Sequence, residues 1–497
     1  MDKSPLTRLD WINNTIGPNR AQALADALKN NSTLTILELK ITSIGDIGTL
    51  VLVEGLKTNS TLTKLMLHGN LIRETGARAL AEMLKTNPTL NILDLGYNSI
   101  GHNGAQALAE GLKVNSTLTE LMLQDNSIGE TGARALAEAL KTNLILTSLN
   151  VGYNSIGDKG AQALGMALKT NSTLVRLDLR YNSVGGCGAQ VLAEALNTKS
   201  TLAMLDLGEN RIRDSGAQAL AEALKTNSTL TGLDLAHNWI GDNGAQALGM
   251  ALKTNSTLTY LDLTQNLVEE YGAQALAEVL KTNTALATLA LGRNSIGCNG
   301  AQELADALKS NSTLTELGLE ANLIGDHGAQ ALAEALKNNS TLTLLTLRFN
   351  PIGENGSQAL SEVLKTNLTV SIIGSKQPAQ VTSIHPFADN MVHDGFADHF
   401  RILKAIARGD ASKEIRNTLE YNYGWSERLL TPLGIYLEDN MAVRILCVLE
   451  EEAGKEIREW SEEDEEYSGR ASLHVEHACR NLQVDEATIP DAVKSFK

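Results

Sequence analysis

Carboxylates recur at one fixed interval along this chain. Asp178, Asp206, Asp234 and Asp262 stand 28 residues apart, in a column that also holds Asp94, Met122, Asn150 and Ala290. Acids at such positions in consecutive strands would lie about 5 Å apart and repel one another. Two readings follow. Either Asp is the default letter of a repeat, or the column is an acidic stripe that takes Lys or Arg from a partner, with Arg176 and Arg180 partly neutralising its start. A second column, displaced by three residues, holds Tyr97, Tyr153, Tyr181, His237, Arg293 and Phe349, with Trp239 just beyond it and Tyr260 on the neighbouring strand. Aromatic residues make up 4% of the chain, so several on one face count for more than their number suggests. Exposed Tyr and Trp are typical interface anchors; the plainer alternative is that they cover neighbouring apolar atoms.

Other reactive side chains do not assemble. His68, His102, His237 and His327 fall at different places in the pattern, and no Ser–His–Asp spacing is legible. His474, His477 and Cys479 in "HVEHAC" have a spacing that could share a metal, but no fourth ligand is evident and an ordinary helix face is the expectation. Arg408-Gly409-Asp410 spells an integrin ligand inside a turn between expected helices. The expectation is therefore a non-enzymatic chain with no cofactor, no metal and no small-molecule substrate.

The elements that would position these columns come from a repeat. "NSTLTYLDLTQN" (255–266) has near copies up and down the chain, and the units start at residues 31, 59, 87 and so on to 339 without insertion or deletion. A degenerate first unit begins at Lys3, making thirteen, and a half unit, "NLTVSIIG", follows at 367–374. A fixed period of this length signals a solenoid. "LTxLDL" alternates, so Leu258, Leu261 and Leu263 face inward and the variable letters outward. The Asn that follows, such as Asn266, recurs in twelve units, with Thr42 the exception, and is suited to satisfying buried backbone groups along a stack of turns. "GAQALAEALK" has helical spacing, and its recurring Gly (Gly272, Gly300, Gly328) is expected to mark a turn too tight for a side chain. "NST" occurs eight times, at Asn31, Asn59, Asn115, Asn171, Asn227, Asn255, Asn311 and Asn339. Each is formally a glycosylation acceptor, but the repeat itself explains the motif.

The pattern LxxLxLxxNxIG followed by a GAxALAEAL helix resembles the leucine-rich repeats of the ribonuclease-inhibitor type, which also occur in NOD-like receptors and Ran GTPase-activating proteins. The resemblance implies an α/β horseshoe solenoid with a parallel sheet on the concave side and helices on the convex side, over residues 1–374. It also implies a binding platform for a protein partner. A scaffold in intracellular signalling, or a bacterial effector acting in a host cell, is the leading expectation. A regulator of a small GTPase of the activating type is the rival, weakened because these units are uniform in length and no arginine finger can be carried over.

The net charge of −16 argues against non-specific binding to nucleic acid or to an anionic membrane surface and favours a partner with a basic surface. The cysteines Cys187, Cys298, Cys447 and Cys479 are scattered, no run of 18 apolar residues occurs, and "MDKSPLTRLDWINN" lacks an apolar signal region. A cytoplasmic protein, or one in host cytoplasm, is expected. Residues 375–386 form a Pro-containing linker, and 387–497 read as a small all-α domain. There "LKAIARGDASKEIRNTL" (403–419) and "TPLGIYLEDNMAVRILCVLEE" (431–451) resemble ankyrin units, against the alternative of a plain helical cap. "EWSEEDEEYSG" (459–469) reads as a solvated acidic loop. The half unit is expected to offer Val370, Ile372 and Ile373 to a terminal apolar layer, which the region carrying Phe400, Ile402 and Leu403 would cover.

Overall fold

A computed structural model describes residues 6–198 and 200–374. The linker, the ankyrin-like reading, the His474–His477–Cys479 motif and the proposed C-terminal cap all lie outside the described residues. Fourteen three-residue strands, β1 (Arg8–Asp10) to β14 (Ser371–Ile373), alternate with thirteen helices, α1 (Pro18–Asn30) to α13 (Glu354–Val363), among the described residues. The strands form one parallel sheet in sequence order, open at both ends. Strands about 4.8 Å apart and helices that need about 10 Å cannot stack on a straight axis, so the sheet takes the concave side. No described helix is long and apolar enough to cross a membrane.

The constant period sets the register. Leu261 in β10 (Tyr260–Asp262) lies opposite Leu233 and Leu289, each 28 residues away. Leu258, Leu261 and Leu263 are fully buried. The half unit departs from this spacing. Leu345 pairs with Ile372 and Thr346 with Ile373, an offset of 27 residues. In a strand a shift of one residue exchanges faces. Ile372 therefore packs on the core beside the buried Val370, while Ile373 takes the outward column and does not join the apolar layer as the sequence suggested.

Two asparagine ladders bind the units together. In the first, Asn266 Nδ2 donates to the carbonyls of Leu235, Leu263 and Thr264 at 2.9, 3.0 and 3.2 Å, and its Oδ1 accepts the N–H groups of Asn238 and Ile240 at 3.0 and 2.9 Å. Thr42 keeps the column intact: its hydroxyl donates to Asn70 Oδ1 at 2.7 Å. The second ladder is the asparagine of "NST". Asn255 Nδ2 donates to Leu224 O at 2.8 Å, and Oδ1 accepts from Thr257 and Leu258 N–H at 3.1 and 2.8 Å. The nitrogen that a glycan would occupy is thus buried and engaged.

The recurring glycine is not at a turn. Gly272 lies within α10 (Glu270–Leu280), where a Cβ would sit 2.6 Å from Asp242 Oδ1, 2.8 Å from Val268 Cγ1 and 3.1 Å from Ala245 Cβ. Gly300 and Gly328 also fall inside helices and are crowded by an isoleucine and by an alanine of the preceding helix. The glycine is required by helix-to-helix approach, which the single-unit pattern cannot display.

At most helix starts the opening N–H is satisfied in one of two ways. Asp46, Asp158, Asp214, Asp242 and Asp326 each reach the start of the next unit's helix. Asp214 Oδ1, for example, accepts from Gly241 and Gly244 at 2.7 and 3.1 Å. Where Glu130 stands in place of that aspartate, Gly157 turns left-handed (φ +63°) and its N–H goes instead to Asn182 O at 2.9 Å. This is N-capping carried across the repeat boundary. Asp214→Ala is expected to lower stability by about 1 kcal/mol, read as a shift of the urea midpoint with unchanged slope. No shift would mean that water replaces the carboxylate at this helix start.

Candidate functional site

The outward positions of the strands form a floor, and the turns that follow them form a rim. On the floor the acidic column is tied to its own backbone. Asp178, Asp206, Asp234 and Asp262 each accept, through Oδ1, the N–H two residues on, at 3.0, 3.0, 2.9 and 2.7 Å. Asp94 does the same with Gly96, and Asn150 with Gly152, both at 2.9 Å. This recurring local bond shapes the turn and explains why an Asx residue is favoured there.

Arg180 neutralises the start of the stripe, as expected. Its Nε lies 3.0 Å from Asp178 Oδ2, and its guanidinium also pairs with Asp206. Burial works against the Arg180 charge, but Asp206, Asp178 and Asp234 outweigh it and hold its pKa above the ordinary value. Arg176 is exposed on the adjoining column. Burial pushes Asp206 up to about 7, with Asp178 adding to the shift and Arg180 and the Gly208 N–H opposing it. Asp234 is pushed well above the usual carboxylate range by burial, then by Asp206 and Asp262. Asp262 and Asp94 are also raised, first by burial. The Tyr260 hydroxyl donates to Asp262 Oδ2 at 3.1 Å, and burial followed by Asp262 raises the tyrosine pKa. These carboxylates form one network, in which each also holds its own turn, Arg180 pairs with Asp178 and Asp206, and Tyr260 bonds Asp262. Its long side chains also need small neighbours. Arg180 lies across Gly152, where an added Cβ would be 3.0 Å from Arg180 Cγ.

The rim is different. Tyr97, Asp125, Tyr153, Tyr181, Glu209 and His237 occupy the same position in six successive units, all with φ between +53° and +57°. This left-handed geometry is uncommon for non-glycine residues. Parallel-ladder bonds hold it, such as Tyr153 N–H to Arg180 O and Tyr181 N–H to Gly208 O, both at 2.9 Å. Every unit needs the same turn, so the strain belongs to the scaffold. Tyr153 and Tyr181 stack at 4.6 Å between centroids with planes 13° apart. Tyr97 leans the other way, onto His68 at 4.6 Å. Trp239 lies one turn further out, with the guanidinium carbons of Arg213 and Arg211 at 5.4 and 6.0 Å from its ring. Tyr181 is 53% exposed, Trp239 41% and Phe349 78%. His237 Nδ1 stands 3.9 Å from Glu209 Oε2.

The structure therefore separates the sequence-derived candidates. Asp178, Arg180, Asp206, Asp234, Tyr260 and Asp262 share the floor network, while Tyr97, Tyr153, Tyr181, His237 and Trp239 line the rim. Asp125 and Glu209 also belong to the rim row; they stand at its 28-residue spacing, but an aromatic pattern does not pick them out. No group of His, Cys, Asp and Glu able to hold a metal ion occurs among the described residues.

Nine segments, 86–109, 114–137, 142–165, 170–193, 198–221, 226–249, 254–277, 310–333 and 338–361, match a family model described as "Leucine Rich repeat". Curated proteins give no match. Similar solved structures include an internalin (inlF) from Listeria monocytogenes, at 19% identity and TM-score 0.43 over 72% of this chain and 95% of that one. The yeast Rad7 and Elc1 complex matches at 19% identity and TM-score 0.43 over 75% and 87%. The actin-binding site 2 of leiomodin-1 matches at 24% identity and TM-score 0.27 over 31% and 88%. At these identities the likeness concerns fold alone.

Proposed function

Since the chain is a leucine-rich repeat protein, we propose that it is a non-enzymatic scaffold that holds a protein partner in its concavity, with the aromatic rim as the anchor. The observation that carries this reading is the exposure of Tyr181 and Trp239 on one edge of the sheet, in a chain where aromatics make up 4% of residues. Large amphipathic rings held by rigid turns lose little entropy on binding and are typical interface anchors. The floor adds to the rim: Asp206 and Asp234 are raised by burial and by neighbouring aspartates, with Arg180 paired to Asp178 and Asp206, so a basic group of the partner would relieve the remaining repulsion. A partner with basic character suits a chain of net charge −16. An intracellular setting, whether in signalling or as an effector, fits the same reading.

The test is affinity capture with the full chain, followed by titration of the captured partner. Tyr181→Ala combined with Trp239→Ala is expected to weaken binding by about 2 kcal/mol or more and to leave the melting curve nearly unchanged. Intact affinity with a large loss of stability would show that these rings are packing residues and would remove the reading.

A further inference from the structure

Within the rim row one position stands apart. Asp125 is exposed and makes no side-chain hydrogen bond or ion pair among the described residues. Its neighbours in the row are Tyr97 and Tyr153, and both rings are drawn away from it, Tyr97 onto His68 and Tyr153 onto Tyr181. The tyrosines are two units apart, so their Cα atoms are about 10 Å apart at a strand spacing of about 4.8 Å. That leaves room for a planar cation within about 6 Å of each ring. Beside the row, Gln124 lies across Gly96, and its Oε1 is buried with no hydrogen-bond partner. The Gln124 acceptor is closed to solvent, so the group open to a partner is the exposed Asp125 carboxylate between the two aromatic rings.

We propose that Tyr97, Asp125 and Tyr153 form a slot for an arginine side chain of the protein partner, the guanidinium seated between the rings and paired with the Asp125 carboxylate. The inference rests on the scaffold reading above and names the chemistry that the rim recognises. Arginine is favoured over lysine because its planar fork can pair with a carboxylate and stack on a ring at the same time. Tyr97 supplies a further sign of proximity: its hydroxyl pKa is raised, by burial first and by the Asp125 charge next.

The experiment uses the full chain with carbon-13-labelled tyrosine rings, the resonances assigned through Tyr97→Phe and Tyr153→Phe. The probes are a blocked Gly-Arg-Gly peptide and its lysine and citrulline counterparts. The arginine peptide is expected to shift both rings saturably, the lysine peptide to bind several-fold more weakly, and the citrulline peptide to leave them unmoved. Asp125→Asn keeps a residue that tolerates the left-handed turn and removes only the charge. It should weaken the arginine response at least about tenfold with an unchanged melting curve. No saturable shift, an equal response to citrulline or to lysine, or full retention in Asp125→Asn would each overturn the slot. Partner capture that depends on Tyr181 and Trp239 but not on Asp125 would sink the slot and keep the scaffold reading. The reverse pattern would keep the slot and remove Tyr181 and Trp239 as the anchor.

Discussion

Asn210→Ala is expected to cost about 3 kcal/mol or more, because one side chain answers several backbone groups at once. Asn210 Nδ2 donates to the carbonyls of Leu179, Leu207 and Gly208 at 3.0, 3.0 and 3.1 Å. Its Oδ1 accepts the N–H groups of Asn182 and Val184 at 3.0 and 2.8 Å. Five backbone groups from two consecutive units therefore depend on one buried amide. Each group left unpaired away from water costs about 1–3 kcal/mol, and partial relaxation returns some of that. In a solenoid the damage is local, because each unit touches only its neighbours. The amides of Asn182 and Val184 should lose hydrogen-exchange protection first, before amides several units away. A urea midpoint within error of the parent, or loss of protection spread evenly along the array, would contradict this account.

The part of the fold that was legible is the part written within one period. The alternation of Leu258, Leu261 and Leu263 and the helical spacing of "GAQALAEALK" concern contacts that every unit repeats, and burial selects them in every unit. The Asn266 column was legible for a related reason: a polar residue repeated at a strand end must answer a repeated backbone demand. What escaped the reading lies between units or depends on the third dimension. Asp214 was visible as a letter, but its bonds run 27 and 30 residues ahead, and no pattern inside one unit reports them. The floor acids were visible as charge, yet a charge in sequence does not reveal that each carboxylate folds back onto its own turn. Asp125 was visible too, but its significance came only from the two rings beside it leaning in opposite directions. The half unit misled because its Asn367 keeps the 28-residue spacing while its strand does not.

Gly160→Ala sets close helix packing against intrinsic helix propensity, and the two predict effects of opposite sign. Gly160 sits inside α6 (Gly157–Leu168) and has no left-handed φ that would require a glycine. On helix propensity alone alanine would stabilise by about 1 kcal/mol. A Cβ at this position, however, would stand 2.1 Å from Ile156 Cγ2 and 3.1 Å from Ala133 Cβ. Ile156 is 1% exposed and Ala133 0%, so neither can turn aside into solvent. Forcing a methyl into such a site displaces the helix or drives Ile156 off its rotamer, at a typical cost of about 1–3 kcal/mol. The expected net result is a loss of about 2 kcal/mol, measured by urea denaturation of the full chain. Gly157→Ala is the comparison at a position that does need glycine for its backbone: φ is +63° and nothing lies within 4 Å of an added Cβ. Its loss, about 1 kcal/mol, should come without any repacking. The two mechanisms part again in combination with Ile156→Ala, which removes the colliding Cγ2 and opens a cavity that the new methyl can enter. Gly160→Ala with Ile156→Ala should then lose clearly less than the sum of the two single changes, whereas Gly157→Ala with Ile156→Ala should be closer to additive. Stabilisation by Gly160→Ala would remove close helix packing as the reason for the glycine's recurrence, and a loss strictly additive with that of Ile156→Ala would contradict a clash with the isoleucine.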